Sequence, residues 1–305
     1  MAYMMRRLLW TLPIMLGVLT LVFFLIHMIP GDPVELMLGE YALPADRELM
    51  REQLGLNRPI PLQYAEYLKN TLSGDLGQSL PNRRPVTAMI LERLPATLEL
   101  MLGAMAVAVG LALPLGILAA VFHGRWPDQA ASVFAVLGVA IPNFWLGPLL
   151  VLVFSIQFDW LPVNERGGLE HLVLPAITLG TSLAALLSRM TRTSLVEVLG
   201  EDYIRAARAK GLNRRRVILV HALRNALIPI ITIAGLQIGV LLSGAIITES
   251  IFDWPGIGSL LLEGIYQRDF PLVQGCVLFI ATSYVLINLA TDIIYGWVDP
   301  RIRQS

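Results

Sequence analysis

Lysine is nearly missing from this 305-residue chain: only Lys69 and Lys210 occur. A phosphate-binding P-loop needs a Gly-Lys-Ser/Thr step, so that the ammonium reaches the phosphates and the hydroxyl holds magnesium. Lys69 is followed by Asn70 and Lys210 by Gly211, so the chain does not hydrolyse ATP by that route. Cysteine is as scarce. A lone Cys276 in an apolar run excludes an intrachain disulfide. The histidines His27, His123, His171 and His221 are dispersed without ligand-like spacing and read as structural residues rather than a metal site. A formal net charge of zero gives no case for a nucleic-acid partner. Charged residues are 15% of the chain, well below the roughly 25% of soluble domains. Apolar residues are 55% and the mean hydropathy is +0.65, so this is an integral membrane protein.

Six apolar runs reach spanning length, at about 8–29, 96–122, 130–156, 172–188, 226–248 and 272–298, the fourth being short. Arg6 and Arg7 precede the first run as in a signal peptide. The run is long enough to span, however, and PGDP (30–33) follows in place of an Ala-x-Ala cleavage site, so the expectation is an uncleaved first span. With a cytoplasmic N-terminus, the inside segments 1–7, 123–129, 189–225 and 299–305 hold fourteen Lys/Arg against two in the short outside loops 157–171 and 249–271. Positive charge stays on the cytoplasmic side, so both termini are expected inside. The predicted fold is all-α: a polytopic bundle of six transmembrane helices, with a small external domain over 30–95 between the first (1–29) and a five-helix core over 96–298, and a cytoplasmic tail over 299–305.

Within 30–95, Asp46 is placed to cap a helix through Leu54 with Gly55 as its stop, and a second helix is predicted over Leu62–Leu72, ended by GDLG (74–77). The spans are rich in Pro and Gly, including Gly103, Gly116, Gly138, Pro142, Gly147, Pro148, Pro175 and Pro229, which fits bent, closely packed helices of a transporter or channel. Ordinary membrane-helix packing accounts for at least half of them. Charges do not recur at span centres, as a proton relay would need. Glu99 and Asp292 sit near span ends, where snorkelling is the default.

The basic stretch 189–225 carries nine Lys/Arg against Glu197, Glu201 and Asp202. Glu201 to Lys210 reads as a short helix with a favourable i,i+4 pair, Glu201 and Arg205. Ile204, Ala207 and Gly211 form a narrow small-sided stripe flanked by Arg205 and Arg208, and Gly211 supplies a left-handed stop. A second helix starts at about Asn213. Such a unit inserts small residues into a partner's groove and anchors the rim with charge. A solvated loop that only enforces topology needs no such stripe.

This stretch resembles the cytoplasmic signature of ABC importer permeases, Glu-Ala-Ala, three residues, Gly, then a later Ile-x-Leu-Pro. Ala206, Ala207 and Gly211 match its Ala, Ala and Gly, while Arg205 replaces the leading Glu and Pro229 falls five residues later than the common pattern. EDYIRAARAKGL…HALRNALIP is similar to the longer spacing of the peptide and nickel branch. HMIPGDP (27–33), GDLGQSL (74–80), LPATLEL (94–100), IPNFWLG (141–147), FDWPGIG (252–258), RDFPLVQG (268–275) and DPRIR (299–303) extend the resemblance over nearly the whole chain. The resemblance implies the B-type permease subunit of a dipeptide, oligopeptide, nickel or glutathione importer in a bacterial inner membrane. It further implies a second, related permease, two cytoplasmic ATP-binding subunits that carry the ATP and magnesium, an extracytoplasmic solute-binding protein, and no cofactor or catalysis on this chain. The docking set is then Glu201, Tyr203, Arg205, Ala206, Ala207, Lys210, Gly211 and Leu212.

The last outside loop invites a second role. Residues 258–267 read as an amphipathic helix at the outer mouth, with Trp254 and Tyr266 suited to the interface. Trp254, Pro255, Gly256, Tyr266 and Asp269 are the candidate outer gate or binding-protein contact, against a plain interfacial anchor. A secondary transporter would show mid-membrane charges, broken half-helices or internal repeats. No repeat or central charge cluster is visible, and no convergent nucleophile or metal set marks an enzyme. Peptide is the favoured substrate, with nickel or glutathione open.

Overall fold

The computed structural model describes residues 2–28, 34, 43–53 and 56–298. The PGDP sequence (30–33), the Gly55 stop, the Asp292 side chain and the 299–305 tail lie outside the described residues. In chain order, α1 runs Ala2–Met28, α2 Pro44–Gln53, α3 Ile60–Leu72, α4 Val86–Val121, α5 Trp126–Ala140 and α6 Asn143–Leu150, the last continued by a π-helical stretch Val151–Gln157. Then come α7 Leu169–Leu199, α8 Asp202–Ala209 and α9 Leu223–Ile251. A turn Arg214–Arg216 and a second π-helical stretch Val217–Ala222 lead into α9. α10 Ile257–Tyr266 and α11 Phe270–Val298 complete the order. The expected all-α class holds, and the extended pairing among the described residues is one isolated bridge, Gln78 with Pro85.

Among the described residues, four stretches are long and apolar enough to cross a membrane: Val86–Val121, Leu169–Leu199, Arg214–Leu242 and Phe270–Thr291. In α1 the described apolar part is the shorter stretch Leu9–Phe24. The run read from sequence as one span over 130–156 is instead a broken pair, Trp126–Ala140 and Asn143–Gln157, bent by 103° at the break. Pro142 is the cause. Its ring disfavours a helical preceding residue, and Ile141 is extended at φ −81°, ψ 115°, its N–H closing the last turn on Leu137 O at 2.9 Å. The fourth run also differs. The helix continues past Ser188 to Leu199, so Arg189 and Arg192 belong to α7 and the basic loop is far shorter than 189–225.

The chain folds as two compact units, 1–97 with 255–285, and 98–254 with 286–305. In the first, α3 packs on α1: Leu19 and Val22 join Leu278 in a buried cluster flanked by Tyr67, Leu68 and Leu76. Thr20 Oγ1 lies 2.6 Å from the Tyr64 hydroxyl, and the Phe23 and Tyr64 rings meet edge to face at 5.2 Å. Asp46 sits in the first turn of α2 rather than before it, and α3 starts two residues earlier than expected because Pro61 is tolerated in a first turn.

In the second unit, small residues bring helices into backbone contact. A Cβ on Gly116 would lie 2.7 Å from Ser188 O, on Gly138 2.7 Å from the Ala185 methyl, and on Gly180 2.7 Å from Ala104 O. These glycines set α4 and α5 against α7, where buried side chains from Leu174 to Leu195 make the core.

Candidate functional site

The turn around α8 is built from two helix ends placed back to back. Glu201 is the N-cap residue, and Lys210 closes the helix. Gly211 has φ +78°, a conformation open to glycine without penalty. Its N–H donates to Arg208 O at 2.9 Å and the Leu212 N–H to Ala207 O at 3.4 Å, the paired bonds of a Schellman stop. Asn213 then caps the next turn, its Oδ1 accepting from Arg215 N at 3.2 Å. Four residues thus reverse the chain with little freedom left.

Ile204 is fully buried, in a cluster with Ala120, Leu195, Val217, Ile218, Ala222 and Ala226; Ala207 and Leu212 lean on the same cluster. Two members of the expected small-sided stripe are thus turned inward. The stripe of Ile204 and Ala207 faces the protein's own core, because the π-helical stretch after Arg216 supplies apolar partners for it. The outward face of α8 carries Asp202, Tyr203, Arg205, Ala206 and Ala209, followed by Lys210. Tyr203 is half-exposed, and its hydroxyl accepts from Asn225 Nδ2 at 2.7 Å, tying α8 to the start of α9. The expected Glu201–Arg205 pair does not form through side chains. Arg205 reaches Asp202 Oδ1 and Gly200 O, each at 3.2 Å, because the carboxylate one residue closer is within reach. Among the described residues, Arg208, Lys210, Arg214, Arg215 and Arg216 form no ion pair.

The outer set fares differently residue by residue. Trp254 and Gly256 are buried, and Pro255 is partly so. Trp254 donates its backbone N–H to Glu249 O at 2.8 Å and has no exposed surface, so it is a packed core ring rather than an interfacial one. Tyr266 is 82% exposed. Asp269 is buried and caps the start of α11, accepting from the N–H groups of Leu272 and Leu80. Its position is set by backbone satisfaction, not by a surface contact.

A groove of about 320 Å³ opens in the second unit beside the α5–α6 break. Val139, Asn143, Leu179, Ser182, Leu183 and Gln237 are among the residues that line it. Its lining holds no charged residue, so charge at span centres does not mark it. The signal present was a pair of uncharged amides, Asn143 and Gln237, inside apolar runs.

Residues 112–304 match the model of the binding-protein-dependent transport system inner membrane component, and residues 1–101 match the model of the N-terminal part of that membrane component. The chain belongs to this family. The glutathione transport system permease protein GsiC of Escherichia coli strain K12 is 44% identical over 303 residues, covering 99% of each chain. GsiC of Salmonella choleraesuis is equally similar, 44% over the same coverage. Among solved structures, the MetNI methionine ABC transporter in an inward-facing conformation shares the fold at a TM-score of 0.55 and 18% identity, over 69% of this chain and 96% of that one. An amino acid ABC transporter crystallised with histidines follows at 0.52 and 17%, over 70% and 94%. The chain is a permease subunit of a binding-protein-dependent ABC importer.

The permease also holds a charge cluster that the sequence did not reveal. Asp128, almost wholly enclosed, accepts from Arg192 Nε at 2.5 Å and Nη2 at 2.9 Å, and from Gly124 N at 2.9 Å. His123 Nδ1 lies 3.2 Å from Asp128 Oδ2. The cluster pins the α4–α5 turn to α7. Glu99 is likewise paired, accepting from Arg166 Nε at 2.8 Å rather than snorkelling alone.

Proposed function

We propose that this permease forms half of the translocation pathway of an importer for small peptides of the glutathione class, and that α8 is its contact with the ATPase. The observation that carries the reading is the α8 turn. It is fixed from behind by Ile204, Ala207 and Leu212, and it presents Tyr203, Ala206, Ala209 and Lys210 outward with unpaired arginines at the rim. In this reading Glu201, Arg205 and Gly211 set the geometry of the turn, and the outward residues make the contact. α1, α4, the α5–α6 pair, α7, α9 and α11 make six crossings, with both termini and α8 cytoplasmic and 30–95 outside. That arrangement follows the asymmetry of basic residues between the short loops. A second, related permease completes the pathway, and a solute-binding protein delivers the cargo at the outer side, where Tyr266 is the exposed member of the outer set. ATP and magnesium belong to the two partner ATPase subunits, and this chain binds no cofactor. The 44% identity to glutathione permeases supports the substrate class over nickel.

The test is reconstitution in proteoliposomes with the second permease, two ATPase subunits and the binding protein. Uptake of glutathione or a dipeptide is expected to require ATP. Uptake driven by an ion gradient without ATP, or nucleotide binding by the isolated chain, contradicts the subunit role and favours a secondary transporter.

A further inference from the structure

Three uncharged polar residues line the groove beside the α5–α6 break: Asn143, Ser182 and Gln237. Two come from the middle of their helices, and the third sits at the break. Gln237 is equidistant from the ends of α9, Leu223 and Ile251. Ser182 lies in the middle third of α7, and Asn143 opens the second arm of the broken pair. All three are half-buried. Ser182 satisfies itself by donating to Leu179 O at 3.2 Å. The amides of Asn143 and Gln237 make no hydrogen bond among the described residues.

Unsatisfied amides are costly in an apolar medium, and polar groups at mid-membrane face a partner or a water-filled path. The remaining lining is Val139, Leu179, Leu183, Leu186, Val240 and Leu241. This lining holds no carboxylate, imidazole or thiol to bind a bare divalent cation. It does hold two amides, each able to donate and accept toward another amide.

From this we infer that the groove is the segment of the pathway that contacts the solute, and that Asn143 and Gln237 select for amide-bearing, peptide-like cargo. The inference rests on the import function proposed above and adds the residues and the chemistry of recognition. The break at Pro142 has a role in it: it places Asn143, the first residue of the second arm, in the lining of the groove that Gln237 also lines. The aliphatic remainder of the lining lets a solute pass without a charge to hold it.

The test uses the assembled importer in a Cys276→Ala background. Gln237→Cys is expected to react with a charged, water-soluble maleimide. Leu236→Cys, its exposed neighbour outside the groove lining, is expected to stay unreactive. S-methylglutathione, which carries the amides without a thiol, is the transport probe. The Asn143→Leu/Gln237→Leu variant should lower its uptake about tenfold, as the loss of two hydrogen bonds implies, while ATP hydrolysis stimulated by the loaded binding protein persists. Gln237→Asn should restore part of the uptake when combined with wild-type Asn143. Two results overturn the inference in a complex that imports peptide. One is an unreactive Gln237→Cys, which would mean that a helix of the second permease fills the groove. The other is wild-type uptake by the double leucine variant. Import of nickel alone by the wild-type complex would sink the substrate reading itself, a result distinct from either of these.

Discussion

Asp128 is a carboxylate with almost no exposed surface, and three N–H donors from two positions in the chain hold it: Arg192 twice and the Gly124 N–H once. Removing the guanidinium alone leaves a buried charge uncompensated, which costs about 3–5 kcal/mol in such pairs, whereas replacing both partners by apolar residues costs far less. Arg192→Met is therefore expected to lower the thermal midpoint of the purified importer strongly, and Asp128→Leu/Arg192→Met to recover most of the loss. Equal midpoints for the single and double variants would show that the pair carries no coupling. This pair was not legible in the sequence, since sixty-odd residues separate its members and Arg192 reads as one more basic loop residue. Gly211 was legible, because a left-handed stop after a short helix leaves a local signature, and its φ of +78° is the value such a stop needs. Ala206 and Ala207 fall between these cases. Both are small, so composition marks the pair, but which one faces inward depends on Val217 and Ile218 packing from beyond the turn.

At the scale of elements, helix positions followed hydropathy closely and helix continuity did not. A window averaged over 130–156 is apolar throughout, so it hides one residue whose ring forbids a helical neighbour. Pro142 was visible, yet proline in membrane helices is often accommodated by a bend, and only the extended Ile141 turns the bend into a break. The consequence is measurable. Spin labels at Val133 and Ile156, both exposed, would stand about 35 Å apart in one straight helix. The broken pair predicts a distance well short of that, and Pro142→Ala should shift the distribution toward longer values. A wild-type distance near the straight-helix figure would remove the break and the groove beside it. The end of α7 was misjudged for the opposite reason: its last turns carry Arg189, Arg192 and several hydroxyls, so their hydropathy falls while their helical periodicity continues to Leu199.

For the whole molecule, the sidedness rests on charge counts in short loops, and it is tested by labelling from the two sides of the membrane. Cysteines at the exposed Ser73 and Arg214 should react with an impermeant reagent from opposite sides; labelling from one side would break the six-crossing arrangement. Coupling to the ATPase is the central claim, and the outward face of α8 decides it. Ala206→Asp places a carboxylate where the partner's groove would desolvate it, at a cost of several kcal/mol unless it is paired or neutralised. Arg215→Ala removes one rim charge, worth at most about 1 kcal/mol. The most direct measurement is solute uptake together with solute-stimulated ATP hydrolysis by the reconstituted importer carrying each change. The account predicts that Ala206→Asp abolishes both while Arg215→Ala retains most of the wild-type rate. Wild-type transport by Ala206→Asp, with Arg215→Ala inactive, would contradict it and leave the turn acting through charge alone.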